Sequence, residues 1–71
     1  MRKISEYIKD CEEGKIDSSL YTSTDDEGRQ VIIQLQKGSG AIVSTLHKNG
    51  WYEVVDYDVN GFVQGVTYEK A

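Results

Sequence analysis

Apolar residues recur along the chain at two different periods, and the change between them divides it. Over residues 3 to 13, Ile4, Tyr7, Ile8 and Cys11 fall at offsets of 0, 3, 4 and 7 with charged residues between them. That spacing predicts one amphipathic helix with a single apolar stripe. Gly14 supplies the stop, because glycine enters the left-handed conformation that ends helices without a side-chain penalty. Glu12 and Glu13 sit at the negative end of the helix dipole, which predicts a frayed last turn. From residue 18 onward the period becomes two. The pattern predicts strands at about 18 to 24, 29 to 36, 41 to 47, 51 to 58 and 62 to 69. The breaks are Asp25-Asp26-Glu27-Gly28, Lys37-Gly38-Ser39-Gly40, Asn49-Gly50 and Asn60-Gly61, and no proline interrupts the pairing. Both Asn-Gly pairs are read as two-residue type I′ turns, in which each central residue needs positive φ.

Turn length fixes register, and register fixes faces. A two-residue turn at Asn60-Gly61 sets Val55 opposite Val66 and Glu53 opposite Tyr68. The same geometry at Asn49-Gly50 sets Leu46 opposite Glu53 and Ser44 opposite Val55. A four-residue connection over Lys37 to Gly40 pairs Leu35 with Ile42, Ile33 with Ser44 and Val31 with Leu46. One face then holds Leu20, Val31, Ile33, Leu35, Ile42, Leu46, Trp51, Val55, Tyr57, Phe62, Val66 and Tyr68 for the helix to cover. Glu53 is its one charge, expected at the edge of the helix footprint or hydrogen-bonded to a tyrosine. The expected fold is α+β: an N-terminal amphipathic helix packed on one face of a four- to five-stranded antiparallel β-meander, with residues 1–71 forming a single compact domain.

The opposite face carries the first candidate site. Tyr21, Ile32, Val43, Thr45, His47, Tyr52, Val54, Val63 and Thr67 fall there, interrupted by Gln30, Gln34, Gln36 and Asp56. One short helix cannot cover both faces, so this one meets water or another chain. Tyr21, Ile32, Thr45, Tyr52 and Val54 are the candidate protein interface. Exposed β-branched residues are also simply good strand formers. The second candidate is acidic: Asp25, Asp26 and Glu27 on one turn, with Asp56 and Asp58 flanking another. Carboxylates on rigid turns can stand where phosphates would sit in a nucleic-acid-binding partner, although the same residues suit an ordinary solvated turn. Asp56-Tyr57-Asp58-Val59-Asn60-Gly61 resembles the first half of an EF-hand calcium loop. The twelfth position is Thr67 where that loop needs a bidentate Glu, and the hairpin alone accounts for Asn60 and Gly61.

Composition narrows the chemistry. Eight Lys and Arg stand against 12 Asp and Glu in 71 residues, a formal charge of −4. Affinity for a polyanion comes from clustered Lys and Arg, so no direct nucleic-acid binding is expected. A chain this short buries about 60% of its unfolded surface and has little room for a deep cleft. One cysteine forms no internal disulfide, and with one histidine it cannot complete a four-ligand zinc site. Cys11 on the helix stripe and His47 on the far sheet face are not expected to meet. Lys37-Gly38-Ser39-Gly40 lacks the following helix of a phosphate loop. No run approaches a membrane span or the apolar stretch of a signal peptide, so the expectation is a cytoplasmic protein with no membrane contact, no cofactor and no enzymatic activity. In size, acidity and lone α+β unit, the chain resembles the small inhibitors that phages use against host nucleases, including anti-CRISPR and antirestriction proteins. No motif matches one such family, and the resemblance carries over no residue. It implies a non-catalytic protein-binding module acting on a nucleic-acid-binding enzyme such as a CRISPR or restriction nuclease. The alternative is a structural protein that forms a homodimer through the open sheet face.

Overall fold

A computed structural model describes residues 1–71. One helix, α1 (Ile4–Glu12), precedes five strands: β1 (Leu20–Thr24), β2 (Gln30–Gln36), β3 (Gly40–Leu46), β4 (Trp51–Tyr57) and β5 (Val63–Lys70). The strands form one antiparallel sheet in chain order, an α+β fold built as a meander. The end of α1 is firmer than its charges suggest. Beyond Glu13, the N–H of Gly14 bonds the carbonyl of Cys11 and that of Lys15 bonds the carbonyl of Asp10, a Schellman closure. The Glu12 carboxylate accepts the Gly38 N–H, and Ser18 Oγ accepts the Lys37 N–H at 2.9 Å. These bonds tie the helix end and its connection to the β2–β3 loop, in place of the expected fraying.

The hairpin loops are three residues long. Gly50 N–H bonds the carbonyl of His47, and His47 N–H bonds the carbonyl of Trp51, so Lys48, Asn49 and Gly50 form the loop. The same pair of bonds closes Asp25 to Arg29 and Asp58 to Phe62. Only glycines have positive φ, so neither Asn49 nor Asn60 takes the conformation a type I′ turn requires. Each of these loops is a type I turn followed by a left-handed glycine, the arrangement that gives a glycine bulge. An added loop residue moves the pairing by one. Leu46 therefore faces Tyr52 and Ser44 faces Val54, where the two-residue turn placed Glu53 and Val55. Across the Lys37–Ser39 loop, Leu35 faces Ala41, Ile33 faces Val43 and Val31 faces Thr45. At Asn60-Gly61 the expected pairs do form, Val55 with Val66 and Glu53 with Tyr68, for a different reason. Tyr57 pairs with Val63 and Asp56 with Gly65, so Gln64 is an extra residue on β5, and this bulge offsets the longer loop.

The corrected pairing redistributes the faces. Tyr21, Val43, Thr45 and His47 lie on the helix side, whereas Leu20, Ile42 and Leu46 move to the open side. The buried core is Ile8 and Cys11 from α1, Val31, Ile33 and Leu35 from β2, and Ala41 and Val43 from β3. Ile4, Tyr7, Ile16, Tyr21 and Tyr57 pack around it. No residue of β4 or β5 is fully buried, and all of β5 is exposed. A helix about 10 Å across spans roughly two strand spacings of about 4.8 Å, half the width of this sheet.

The closest backbone approach is at Gly40, whose φ is +82°. A Cβ there would fall on the Tyr57 carbonyl oxygen and within 2.7 Å of the Asp58 carbonyl. Gly38 has φ of +84° with open space around it. Gly40→Ala is expected to cost more than about 2 kcal/mol and Gly38→Ala about 1 kcal/mol, read from chemical denaturation midpoints.

Candidate functional site

The meander sends successive turns to opposite ends of the sheet, which separates the acidic positions. Asp25, Asp26 and Glu27 share one end with the β3–β4 turn, and Asp58 lies at the other. Most of these carboxylates are occupied. Asp25 Oδ1 accepts the N–H groups of Glu27 and Arg29, and its Oδ2 accepts Arg29 Nε at 2.8 Å. Glu27 pairs with Arg29 Nη2 at 2.6 Å. Asp58 Oδ1 accepts the N–H groups of Asn60 and Phe62, while its Oδ2 accepts Gln64 Nε2. Turn construction uses the oxygens that calcium ligation would need, and no group of three or more His, Cys, Asp or Glu side chains converges on a metal position. Asp26 is fully exposed, 3.8 Å from the chain's first amino group. Asp56 stands on the open face opposite Ile42 and Gly65.

The apolar candidates also divide. Ile32 and Val54 share one cross-strand row of the open face with Thr22, Ser44 and Thr67, and Tyr52 stands in the next row between Leu46 and Glu69. Tyr21 and Thr45 lie on the other side. The Tyr21 ring packs 6.4 Å from that of Tyr7, and its hydroxyl donates to the Asp17 carbonyl at 2.8 Å. Thr45 sits between Val31 and Glu53. The Cys11 thiol, buried in the core, lies 3.8 Å from Ser18 Oγ, and the neighbours of His47 are Arg29 and Glu53, so no nucleophile and base are brought together.

Two features of the helix side are new. The first is a polar row crossing the strands beyond the end of the core. Arg29 Nη1 lies 3.5 Å from His47 Nδ1, His47 Nε2 is buried 3.9 Å from Glu53 Oε1, and the Tyr68 hydroxyl donates to that oxygen at 3.3 Å. The expected tyrosine partner of Glu53 is thus Tyr68. Beside the row, Glu27, Arg29, His47, Lys48 and Asn49 line an open depression of about 420 Å³. The second is apolar. With α1 lying over the strands before β4, Trp51, Val66 and Tyr68 stand uncovered beside the half-buried Val55 and Tyr57, and the exposed Val63 faces Tyr57 at the end of the row. Tyr68 is 62% exposed and Trp51 41%, high values for side chains with so much surface to bury. Sequence reasoning assigned Trp51, Val66 and Tyr68 to a covered face together with Phe62, and Val63 to the opposite one; the pairing of Tyr57 with Val63 exchanges those two. A comparison of helix width with sheet width would have found the uncovered row.

No family model matches the chain, and no curated protein or solved structure matches it. No helix is long and apolar enough to cross a membrane.

Asp25 is held below the ordinary carboxylate range, first by the Arg29 backbone N–H, then by the Arg29 guanidinium and the Glu27 N–H. A carboxyl that releases its proton more readily when folded stabilises the fold above its unfolded pKa, and that contribution disappears as pH falls through the lower folded value. Asp25→Asn is therefore expected to lower the thermal midpoint near neutral pH. Its difference from the parent chain should shrink in acid, as pH falls through the lowered folded value. A difference that stays constant between the two conditions would contradict this role.

Proposed function

We propose that the chain is a non-catalytic protein-binding module whose contact surface is the helix-free half of the sheet. The observation that carries this reading is the row of Trp51, Tyr68, Val66 and Val63, exposed on β4 and β5 while the helix lies over the neighbouring strands. Aromatic side chains at the centre of an apolar patch are the residues on which binding energy concentrates. A net charge of −4, with Asp26, Asp56 and Glu69 exposed or half-buried, favours a basic partner surface. That complementarity supports a nucleic-acid-binding enzyme as the target class, with the module as its inhibitor. The role of the acids is smaller in this reading than in a phosphate mimic, since Asp25, Glu27 and Asp58 are engaged within their own turns.

Trp51→Ala combined with Tyr68→Ala should abolish capture of a specific protein from bacterial lysate and, with that protein purified, raise its dissociation rate at least about tenfold. Ile32→Ala with Tyr52→Ala on the open face should leave the dissociation rate unchanged. Asp26→Lys should slow association and weaken its salt dependence. Equal retention by the parent chain and the Trp51/Tyr68 variant would contradict the assignment.

A further inference from the structure

The two edges of the sheet are unequal. β1 is five residues long, and its second residue, Tyr21, is held against Tyr7 and Asp17. β5 is eight residues long, contains no proline, and is exposed throughout. Its one irregularity, the extra residue Gln64, lies at its start, which leaves Gly65 to Lys70 as a regular run. An open edge of this kind presents a row of unpaired backbone groups and is a template for another strand. Short edges, prolines and bulges normally blunt it, and beyond Gln64 this edge has none of them. The Ala71 N–H bonds the Gly50 carbonyl, and antiparallel pairing alternates from there. Alternation directs the N–H and C=O of Thr67 and Glu69 toward β4 and those of Val66 and Tyr68 outward.

We propose that β5 pairs antiparallel with β5 of a second copy of this chain, about a two-fold axis at Thr67, to form one continuous sheet. The axis is perpendicular to the sheet, so both helices stand on the same side. Val66 faces Tyr68 of the second copy, and Tyr68 faces its Val66. Both pairs use outward-directed backbone groups, and each exchanges two N–H···O=C bonds. A β-branched residue opposite an aromatic is a favourable cross-strand pair, as is Thr67 opposite its own copy on the other face. Glu69 faces Gly65, so no like charges meet. An axis at Val66 would draw Gln64 into the pairing although its amide is bound to Asp58, and an axis at Tyr68 would set Val66 against Lys70. The arrangement at Thr67 avoids both. It also joins the two uncovered apolar strips between the helices into one floor, which enlarges the surface proposed above without depending on it.

Sedimentation of the full chain at micromolar to millimolar concentration should give a mass approaching twice 8.0 kDa. Thr67→Lys sets like charges directly opposite across the axis, on a face the helix does not touch. It should weaken association by about tenfold or more while leaving the circular dichroism of the monomer unchanged. Thr67→Cys should form an oxidised dimer that reductant reverses, because the directly opposed, non-hydrogen-bonded position brings Cα atoms to about 4.5 Å, within disulfide reach. Val66→Cys, facing Tyr68, should cross-link far more slowly. The buried Cys11 makes the parent chain a silent control. A parent chain that stays monomeric at every concentration would overturn the dimer, and equal cross-linking at both positions would overturn its register. Either result would leave the partner-binding experiment above to be judged separately.

Discussion

A hairpin loop of three residues puts an even separation between the residues that flank it, so a strand and its neighbour keep the same parity of numbering on each face. Through β1 to β4 every loop in this protein has that length, and the odd-numbered residues share the helix side. Left-handed glycines allow it: Gly28 and Gly50 each turn the chain back after a type I turn whose other residues keep negative φ, and Gly38 and Gly40 serve the β2–β3 loop. Ile33, Val43 and Val55 consequently fall in one cross-strand row. The first two are buried under Ile8 and Cys11, and the third lies at the margin of the helix. Burial of each such side chain contributes on the order of 1.5–3 kcal/mol. A shift of one residue at either inner loop would replace Val43 in that row by Ser44 or Ile42 and remove the small Ala41 from beneath the helix.

The second constraint is one of area. A single helix of nine residues, about 13.5 Å long, has one apolar stripe to give, and five strands present more surface than that stripe can cover. The helix settles where the aliphatic side chains are densest, over β2 and β3, and its last turn is held there by bonds to the β2–β3 loop. The β4–β5 hairpin is left as a wing held by its pairing with β3, by Tyr57 at the margin of the core, and by the approach of Gly61 to Ser5 at its turn. Aromatic rings on that wing therefore meet solvent, the outer strand meets nothing, and the protein's capacity for association is concentrated at one side. The polar row from Arg29 to Tyr68 marks where the same wing passes beyond the core.

The helix and the five strands were legible in the sequence because the two periods are clean and the glycine-bearing breaks are unambiguous. Faces on β4 and on β5 beyond Gln64 were legible for a compensating reason: that extra residue cancelled the extra loop residue at the Asn60-Gly61 turn, so Val55 met Val66 as expected, while Phe62 and Val63, before the bulge, exchanged faces. At Asn49-Gly50 no bulge follows, and the same misreading of loop length carried through. Leu20, Ile42 and Leu46 were drawn to the core by their hydrophobicity, yet the row they were given could not also hold Val43 and Tyr21. Asn-Gly fits both a type I′ turn and a type I turn with a glycine bulge, and the dipeptide alone does not distinguish them. The acidic tips were misjudged for another reason. Asp at the first position of such a loop accepts the N–H groups that follow it, so Asp25 and Asp58 build their turns and are not free charges.

Loop length, and with it the parity of every face, is open to direct observation by nuclear Overhauser contacts between Hα protons across β3 and β4. In antiparallel sheets these are strongest at the non-hydrogen-bonded pairs. The bond from His47 N–H to the Trp51 carbonyl makes those pairs Leu46 with Tyr52 and Ser44 with Val54. Strong Hα contacts at both pairs are the result this account predicts. Strong contacts from Thr45 to Val54 and from His47 to Tyr52, the non-hydrogen-bonded pairs of a two-residue turn, would move Val43 out of the core and contradict it.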